Sequence, residues 1–251
     1  IIKVLLEEIQ LIIHESRFEV KYNNPEEINK LFEQTMTSFA SAIDAKDKYT
    51  AGHSERVAKL STEIAKNLQL TQKEINIIEY GAILHDIGKI GTAERILNKK
   101  GRLTEKEYYT IKQHPIKGVE ILNSVELLDK HLDIVKYHHE RIDGEGYPEG
   151  LAGNEIPDVA KIVSIADAWD AMTSNRSYRE AMDYKEAIKE LQENAGTQFD
   201  KDMINILAKN NFKVLIQNWI RGVFIMDNDR FINLFLISLL MFIIVYFLLF
   251  F

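Results

Sequence analysis

The chain has 251 residues, of which 46% are hydrophobic and 27% charged, and this composition is typical of a globular protein with one sizeable domain. The net charge of −7 and the lack of a dense basic block argue against general nucleic-acid binding, although a local basic pocket for a small phosphorylated ligand is still compatible with them. The absence of cysteine excludes a disulfide framework and any thiolate zinc site, so a metal would have to be bound by His, Asp and Glu.

Residues 1–25 are predicted to be the remnant of an upstream connector. The chain begins with Ile1 rather than Met, which suggests a piece of a longer protein. The opening "IIKVLLEEIQLII" contains three charged residues and lacks a small-residue cleavage site, so it does not resemble a signal peptide.

Residues 26–210 are predicted to form one all-α domain. Apolar side chains recur at helical spacing in 26–45 and in "HSERVAKLSTEIAKNL". Further helix starts are predicted from the capping boxes Thr71 with Glu74 and Thr104 with Glu107, from Pro115 and Pro157 in first turns, and from the caps Asp183 and Asp200. No run of alternating strands occurs, and the one long loop is the glycine-rich "RIDGEGYPEGLAGNEIP", a feature that is usually functional.

The C-terminal segment predicts a membrane anchor. After a junction at 211–230, residues 231–251 carry no charge over 21 residues, and a helix of that length spans roughly 30 Å, about one hydrocarbon core. Lys213, Arg221 and Arg230 precede this segment, so insertion would keep the body of the protein cytoplasmic at the inner membrane. A buried helix and an artefact of gene prediction are the alternatives.

A set of histidines and acids points to a metal site. Five histidines lie at predicted helix ends, where side chains from different helices can converge: His53, His85, His114, His138 and His139. Asp86 follows His85 directly, and Asp167 lies in the largely apolar helix "KIVSIADAWDAM". Any one of these is more often an ordinary buried or solvated side chain, but the whole set is hard to explain by packing alone. His14 and His131 lack this context and are read as ordinary surface or core residues.

The chain resembles the HD-GYP family of HD phosphohydrolases. The matching strings are "YTAGHSERVA", "LHDIGKIG", "QHPIKGVEIL", "YHHERIDGEGYPEGLAGNEIP" and "ADAWDAMTSNRSYRE", in the order of the family and over roughly residues 40–200. The resemblance implies an HD-domain helical bundle that hydrolyses cyclic di-GMP to pGpG, and onward to GMP, or acts on cyclic GMP-AMP.

The resemblance also implies a ligand set for two metal ions, with Asp86 as the bridge. The implied ligands are His53, His85, Asp86, His114, His138, His139 and Asp167. Iron or manganese is implied more than zinc, and all three suit these donors. Some members hold a third metal through a Glu at the position of Tyr49, so no third metal is expected here.

The expected mechanism is attack on phosphorus by a hydroxide that bridges the two metals. Lys89, three residues after Asp86, would contact a phosphate or stabilise the leaving ribose oxygen, as in the family. Arg176 and Arg179 match basic positions that the family places against phosphate or guanine, and arginine suits both. Asp170 and Thr173 are expected to orient neighbouring side chains.

The expected partners are a cyclic dinucleotide, an upstream sensory domain, a GGDEF-type or other signalling protein at the GYP loop, and a second copy through residues 26–45, but no DNA. Two rival hypotheses stay open. One is a non-catalytic module that binds the nucleotide or a protein, and the intact ligand set disfavours it. The other is an HD phosphohydrolase for a nucleotide monophosphate or ppGpp, and "GEGYP" with Arg176 disfavours that.

Overall fold

The computed structural model describes residues 24–47, 52–174 and 180–209. Over these ranges the chain forms α-helices and short 3-10 helices, and its only β contacts are two isolated bridges, Asp143 with Ala152 and Ala195 with Phe199. The predicted all-α fold is therefore confirmed.

The α-helices of the described ranges follow one another with short connections. They are α1 (Pro25–Lys46), α2 (His53–Asn67), α3 (Gln72–Leu84), α4 (Glu94–Leu97), α5 (Glu105–Lys112), α6 (His114–Leu122), α7 (Leu132–Tyr137), α8 (Asp158–Thr173), α9 (Tyr184–Glu193) and α10 (Lys201–Lys209). Short 3-10 helices span Ile87–Gly91, Glu126–His131 and Gly153–Glu155.

The predicted helix starts are confirmed by their capping contacts. Thr71 and Glu74 cap α3 reciprocally, and Thr104 and Glu107 do the same for α5. Each pair satisfies backbone N–H groups that a helix start leaves unpaired. The carboxylates of Asp183 and Asp200 likewise accept backbone hydrogen bonds at the starts of α9 and α10.

The core lies between α2, α3, α7 and α8. Its fully buried side chains include Leu60, Ile78, Ile134, Ile162 and Trp169. Helices α3 and α7 approach closely at Gly81, where an added Cβ would collide with the side chain of Ile134. Burying each large apolar side chain contributes about 1.5–3 kcal/mol, and this packing holds the helix ends that carry the predicted ligands in place.

The glycine-rich loop folds back onto the end of α7. The buried carboxylate of Glu140 accepts backbone hydrogen bonds from Glu149, Gly150 and Leu151 at 2.7, 3.1 and 3.0 Å. The N–H of Tyr147 also donates to the carbonyl of His139 at 3.2 Å. These contacts fix the loop beside His138 and His139.

Several predictions fall on residues outside the described ranges. They are residues 1–23 of the predicted connector 1–25, Tyr49, Arg176, Arg179, the junction 211–230 and the apolar tail 231–251. Among the described helices, none combines the length and the apolar character needed to cross a bilayer. The domain division, membrane anchor, cytoplasmic placement and dimerisation through 26–45 stay predictions.

Candidate metal centre

The structure brings the seven predicted ligands together in one pocket. His53 is the first residue of α2, His85 and Asp86 follow the end of α3, His114 opens α6, and His138 and His139 follow α7. Donor atoms of Asp86, His114, His138 and His139 lie within 4.8 Å of one another, as do those of His53, His85 and Asp86. Asp167 joins the second group, with Oδ1 3.3 Å from His53 Nε2.

Asp86 belongs to both groups. Its Oδ1 lies 3.3 Å from His114 Nε2, and its Oδ2 lies 3.4 Å from His85 Nε2 and 3.7 Å from His53 Nε2. The two oxygens of one carboxylate therefore face two different sets of histidines. A carboxylate that bridges two metal ions needs this arrangement.

The ring orientation of the histidines is set by their Nδ1 atoms. His85 Nδ1 lies 2.6 Å from the carbonyl oxygen of Ala82, and His138 Nδ1 lies 3.1 Å from those of Ile134 and Val135. A carbonyl oxygen can only accept, so Nδ1 carries the proton in each ring. Carbonyls in the last turn of a helix lack a partner within the helix, which explains why a histidine at a helix end is oriented in this way.

His114 follows the same rule, with Nδ1 2.9 Å from the carbonyl oxygen of Ile111. With the proton on Nδ1, Nε2 can offer its lone pair to the pocket, and this is the tautomer that binds a metal ion.

Two observations test whether these residues fit a metal ion. His85 Nε2 is buried without a hydrogen-bond partner in the described ranges. His114 Nε2 and His138 Nε2 lie 3.3 Å apart, and when both Nδ1 atoms carry the protons, neither Nε2 can donate to the other. A cation that both lone pairs bind resolves this contact. The donor set of imidazoles and carboxylates suits iron, manganese or zinc.

The pKa shifts agree with metal binding. Burial lowers the pKa of His114 to about 3, against the opposing charge of Asp86, and burial lowers the pKa of His139 to about 4. These rings are therefore neutral at pH 7. Burial by itself would raise the pKa of Asp86, but the charge of the adjacent Lys89 above all brings this pKa well below its usual range, so the carboxylate is ionised.

His53 has a different electrostatic environment. Burial opposes its charged form, but hydrogen bonds with Asp167 and Asp170 and the charges of these acids raise the pKa of His53 to about 10. The acids therefore favour positive charge at this point of the pocket, which a metal ion would supply.

Asp170 and Arg56 form a hydrogen-bonded chain that ends at Nδ1 of His53. Asp170 Oδ2 accepts a hydrogen bond from His53 Nδ1 at 2.7 Å, as expected for a residue that orients a ligand. Arg56 donates two hydrogen bonds to the same carboxylate, one from Nε at 2.6 Å and one from Nη2 at 3.0 Å. Arg56 was not among the predicted site residues, although its i,i+3 spacing from His53 is a usable signal. The hydroxyl of Thr173 instead donates to the carbonyl of Trp169 in its own helix.

Lys89 lies on the 3-10 helix directly after Asp86. Its Nζ is 2.5 Å from Asp86 Oδ2 and 3.5 Å from Asp47 Oδ2, and only 17% of its side chain is exposed. Burial would lower the pKa of Lys89, but Asp86 and Asp47 raise it, so the ammonium is protonated. The carboxylate pairs and the low exposure distinguish Lys89 from an ordinary surface lysine.

A cavity of about 700 Å³ opens above the ligands. This volume lies in the range of small-molecule sites. It is lined by members of the candidate site, namely His53, Asp86, Lys89, His139 and Asp167. Further lining residues are Tyr108, Lys112, Arg141, Tyr147, Glu190, Asn194 and Gln198. Tyr108 and Lys112 were not among the predicted site residues, because the capping box of α5 marks only the start of the helix. Tyr147 stacks on His139 with ring centroids 4.7 Å apart.

Comparisons with known proteins show which family the chain is similar to. A family model described as HD domain matches residues 37–203. The chain is 37% identical over 174 residues to the 3'3'-cGAMP-specific phosphodiesterase 3 of Vibrio cholerae, a match that covers 69% of this chain and 38% of that protein. It is also 37% identical over 185 residues to the cyclic di-GMP phosphodiesterase response regulator RpfG of Xanthomonas campestris, with coverage of 73% and 49%. The chain thus spans less than half the length of these two relatives.

One solved structure supports the fold. An HDG"Y"P protein from Bdellovibrio bacteriovorus superposes with a TM-score of 0.55 at 23% identity, over 82% of this chain and 69% of that one. At this identity the likeness shows the fold alone.

Proposed function

This chain belongs to the HD domain family, its resemblance to the HD-GYP branch is confirmed, and from that premise we propose that it is a metal-dependent phosphodiesterase that hydrolyses a cyclic dinucleotide. The observation that carries the proposal is Asp86, whose two oxygens face two separate groups of buried histidines. The preferred substrate is cyclic di-GMP, opened to pGpG and then to GMP, with cyclic GMP-AMP as the second candidate.

We assign one metal ion to His53, His85 and Asp167 and the other to His114, His138 and His139, with Asp86 shared. Two divalent ions, when bound, generate hydroxide at neutral pH and offset the negative charge of the phosphate. Iron or manganese is proposed ahead of zinc.

The protein's own groups position the substrate. Lys89 Nζ reaches the carboxylate at the centre of the site, so its ammonium can donate a hydrogen bond to a phosphate oxygen or to the departing ribose 3′ oxygen. Asp47 and Asp86 keep this ammonium charged and in place. Arg176 and Arg179 are proposed to bind phosphate or guanine. The proposed protein partners are an upstream sensory domain and a GGDEF-type protein at the GYP loop.

The proposal is tested with the purified chain loaded with Mn²⁺ or Fe²⁺. Cyclic di-GMP, cyclic GMP-AMP and ppGpp are incubated separately, and the products are resolved by chromatography. We expect a linear dinucleotide from a cyclic substrate, and Asp86→Asn should abolish its formation. Binding without turnover would indicate a non-catalytic module, and turnover of ppGpp alone would indicate another HD phosphohydrolase.

A further inference from the structure

One wall of the cavity is formed by a lysine between two tyrosine rings. Lys112, the last residue of α5, has its Nζ 4.9 Å from the ring centroid of Tyr108 and 4.9 Å from that of Tyr147. Tyr147 stacks in turn on His139, a member of the candidate metal centre. Lys112 therefore lies one aromatic ring away from the histidines, inside the cavity that the substrate would enter.

Lys112 has no acidic partner among the residues that the structure describes. Its ammonium lies over the two tyrosine rings and makes no hydrogen bond or ion pair with a described residue. Lys89, the other lysine of the cavity, is held by Asp86 and Asp47. A cation–π contact is weaker than a charge-assisted hydrogen bond to a phosphate, so the ammonium of Lys112 is available to an anion that enters the cavity.

Tyr108 provides a flat apolar surface at the same place. Half of this residue (50%) is exposed, and it lines the cavity, whereas its neighbour Tyr109 is 65% exposed and does not. An exposed aromatic ring beside a cation is a surface that suits a nucleotide, because the ring can stack on a base while the cation contacts a phosphate.

We propose that Lys112 and Tyr108 form a subsite for the half of the substrate that is not being cut. A cyclic dinucleotide has two phosphates in one macrocycle, so when one phosphate lies at Asp86 and Lys89, the other must lie nearby in the same cavity. Lys112 binds this second phosphate, and Tyr108 stacks on an adjoining base. The inference rests on the proposed function, since it assumes a dinucleotide at this site.

The charge of Lys112 is tested with Lys112→Met, which keeps most of the length of the side chain, and with Lys112→Arg, which restores a cation. Lys106→Met is the matched control, because Lys106 lies on the same helix, is exposed and does not line the cavity. KM and kcat are measured with cyclic di-GMP and with bis(p-nitrophenyl) phosphate, a small phosphodiester that has no second phosphate. Calorimetry gives the Kd of a phosphorothioate analogue of cyclic di-GMP that resists hydrolysis.

We expect Lys112→Met to raise KM and Kd for the dinucleotide by about tenfold to a hundredfold, as for loss of a hydrogen bond to a charged group. Turnover of the small phosphodiester should stay within about twofold, and Lys112→Arg should recover most of the affinity. Unchanged dinucleotide affinity would overturn the inference. A parallel loss on both substrates would overturn it too, because Lys112 would then only tether α5 to the loop.

The same measurements separate this inference from the proposed function. If the wild-type chain binds the analogue but cleaves no dinucleotide, the proposed hydrolysis fails, while the effect of Lys112→Met on Kd still decides the subsite. If the wild-type chain neither binds nor cleaves a cyclic dinucleotide, both proposals are wrong.

Tyr108 is tested by Tyr108→Leu and Tyr108→Phe, with Tyr109→Leu as the adjacent control. Stacking on a base needs the ring but not the hydroxyl, so Tyr108→Phe should keep the affinity and Tyr108→Leu should weaken it about fivefold or more. If Tyr108→Leu and Tyr109→Leu bound the dinucleotide analogue with equal affinity, Tyr108 would not be part of the subsite.

Discussion

The carboxylate of Asp170 acts on the candidate metal centre through His53. Asp170 is only 2% exposed and joins the imidazole of His53 to the guanidinium of Arg56. Because the bond from His53 Nδ1 fixes the ring, it determines where Nε2 points. The negative charge of Asp170 also makes the ring a stronger ligand.

Asp170→Asn should therefore weaken metal binding without removing a ligand. The amide keeps the size of the side chain but loses the charge, and such changes typically lower metal affinity or activity by about 10- to 100-fold. Titration of the metal-free protein with Mn²⁺ gives the affinity. Asp133→Asn, at an exposed position on α7, is the control. Equal Mn²⁺ affinity for the two variants would show that Asp170 serves only to hold Arg56.

Lys89→Gln should separate metal binding from chemistry. Lys89 is not a ligand in the proposed site, so the protein should retain its two metal ions, while kcat should fall by roughly 100-fold through loss of a preorganised cation. We would measure the metal content by emission spectrometry and kcat with cyclic di-GMP. The control variant is Lys66→Gln, at an exposed lysine. If the Lys89→Gln protein lost its metal, Lys89 would be shown to stabilise the metal site rather than to act in the chemical step.

At the scale of elements, the close approach of the 3-10 helix Ile87–Gly91 to α6 brings Asp86 next to His114. Gly88 makes this approach feasible, because a Cβ there would collide with the carbonyl of His114 and lie 2.6 Å from the backbone nitrogen of Gly118. Gly91, in the same short helix, faces only the flexible end of Lys117, with 2.9 Å to its Cδ.

Gly88→Ala should thus damage the site and Gly91→Ala should not. Backbone atoms cannot move aside as a side chain can, so Gly88→Ala must push the 3-10 helix away from α6, at a cost of about 1–3 kcal/mol for overpacking. Thermal unfolding and Mn²⁺ content report the two effects. A Gly88→Ala protein with the Tm and metal content of Gly91→Ala would contradict this account of the interface.

The helix ends were predictable because their signals are local. The capping boxes at Thr71 and Thr104 and the first-turn proline of α6 are set by neighbours within a few residues. The histidines' position at helix ends suggested that they could converge, but the full set of seven predicted ligands came from the family pattern, because no local pattern encodes which helix ends meet. Lys112 was missed for the same reason, because its partner Tyr147 lies far away in sequence. The i,i+3 spacing of Arg56 from His53 is a local signal, but it does not identify the distant Asp170 as its partner.

At the scale of the whole molecule, the pocket joins helices that are separated in sequence. His53 comes from α2, Asp86 follows α3, His114 opens α6 and Asp167 lies in α8. Buried acids and imidazoles are costly to bring together, and a cation shared among them offsets that cost. Metal binding should therefore stabilise the fold as a whole, in addition to its part in chemistry.

Chelation of the metal should consequently lower Tm, and adding the metal back should restore it. A ligand that binds only the folded state, at 100 times its Kd, stabilises by about 2.7 kcal/mol. In a domain of this size that corresponds to a fall in Tm of roughly 5–10 °C on removal. Calorimetric scans with EDTA and with excess Mn²⁺ give the difference. Asp86→Asn should show little of it, because the shared ligand is gone, whereas the Asp133→Asn control should respond like the wild type. If removal of the metal left the wild-type Tm unchanged, packing alone would stabilise the converging helix ends. The buried carboxylates of the pocket would then have to be neutralised by something other than a metal ion.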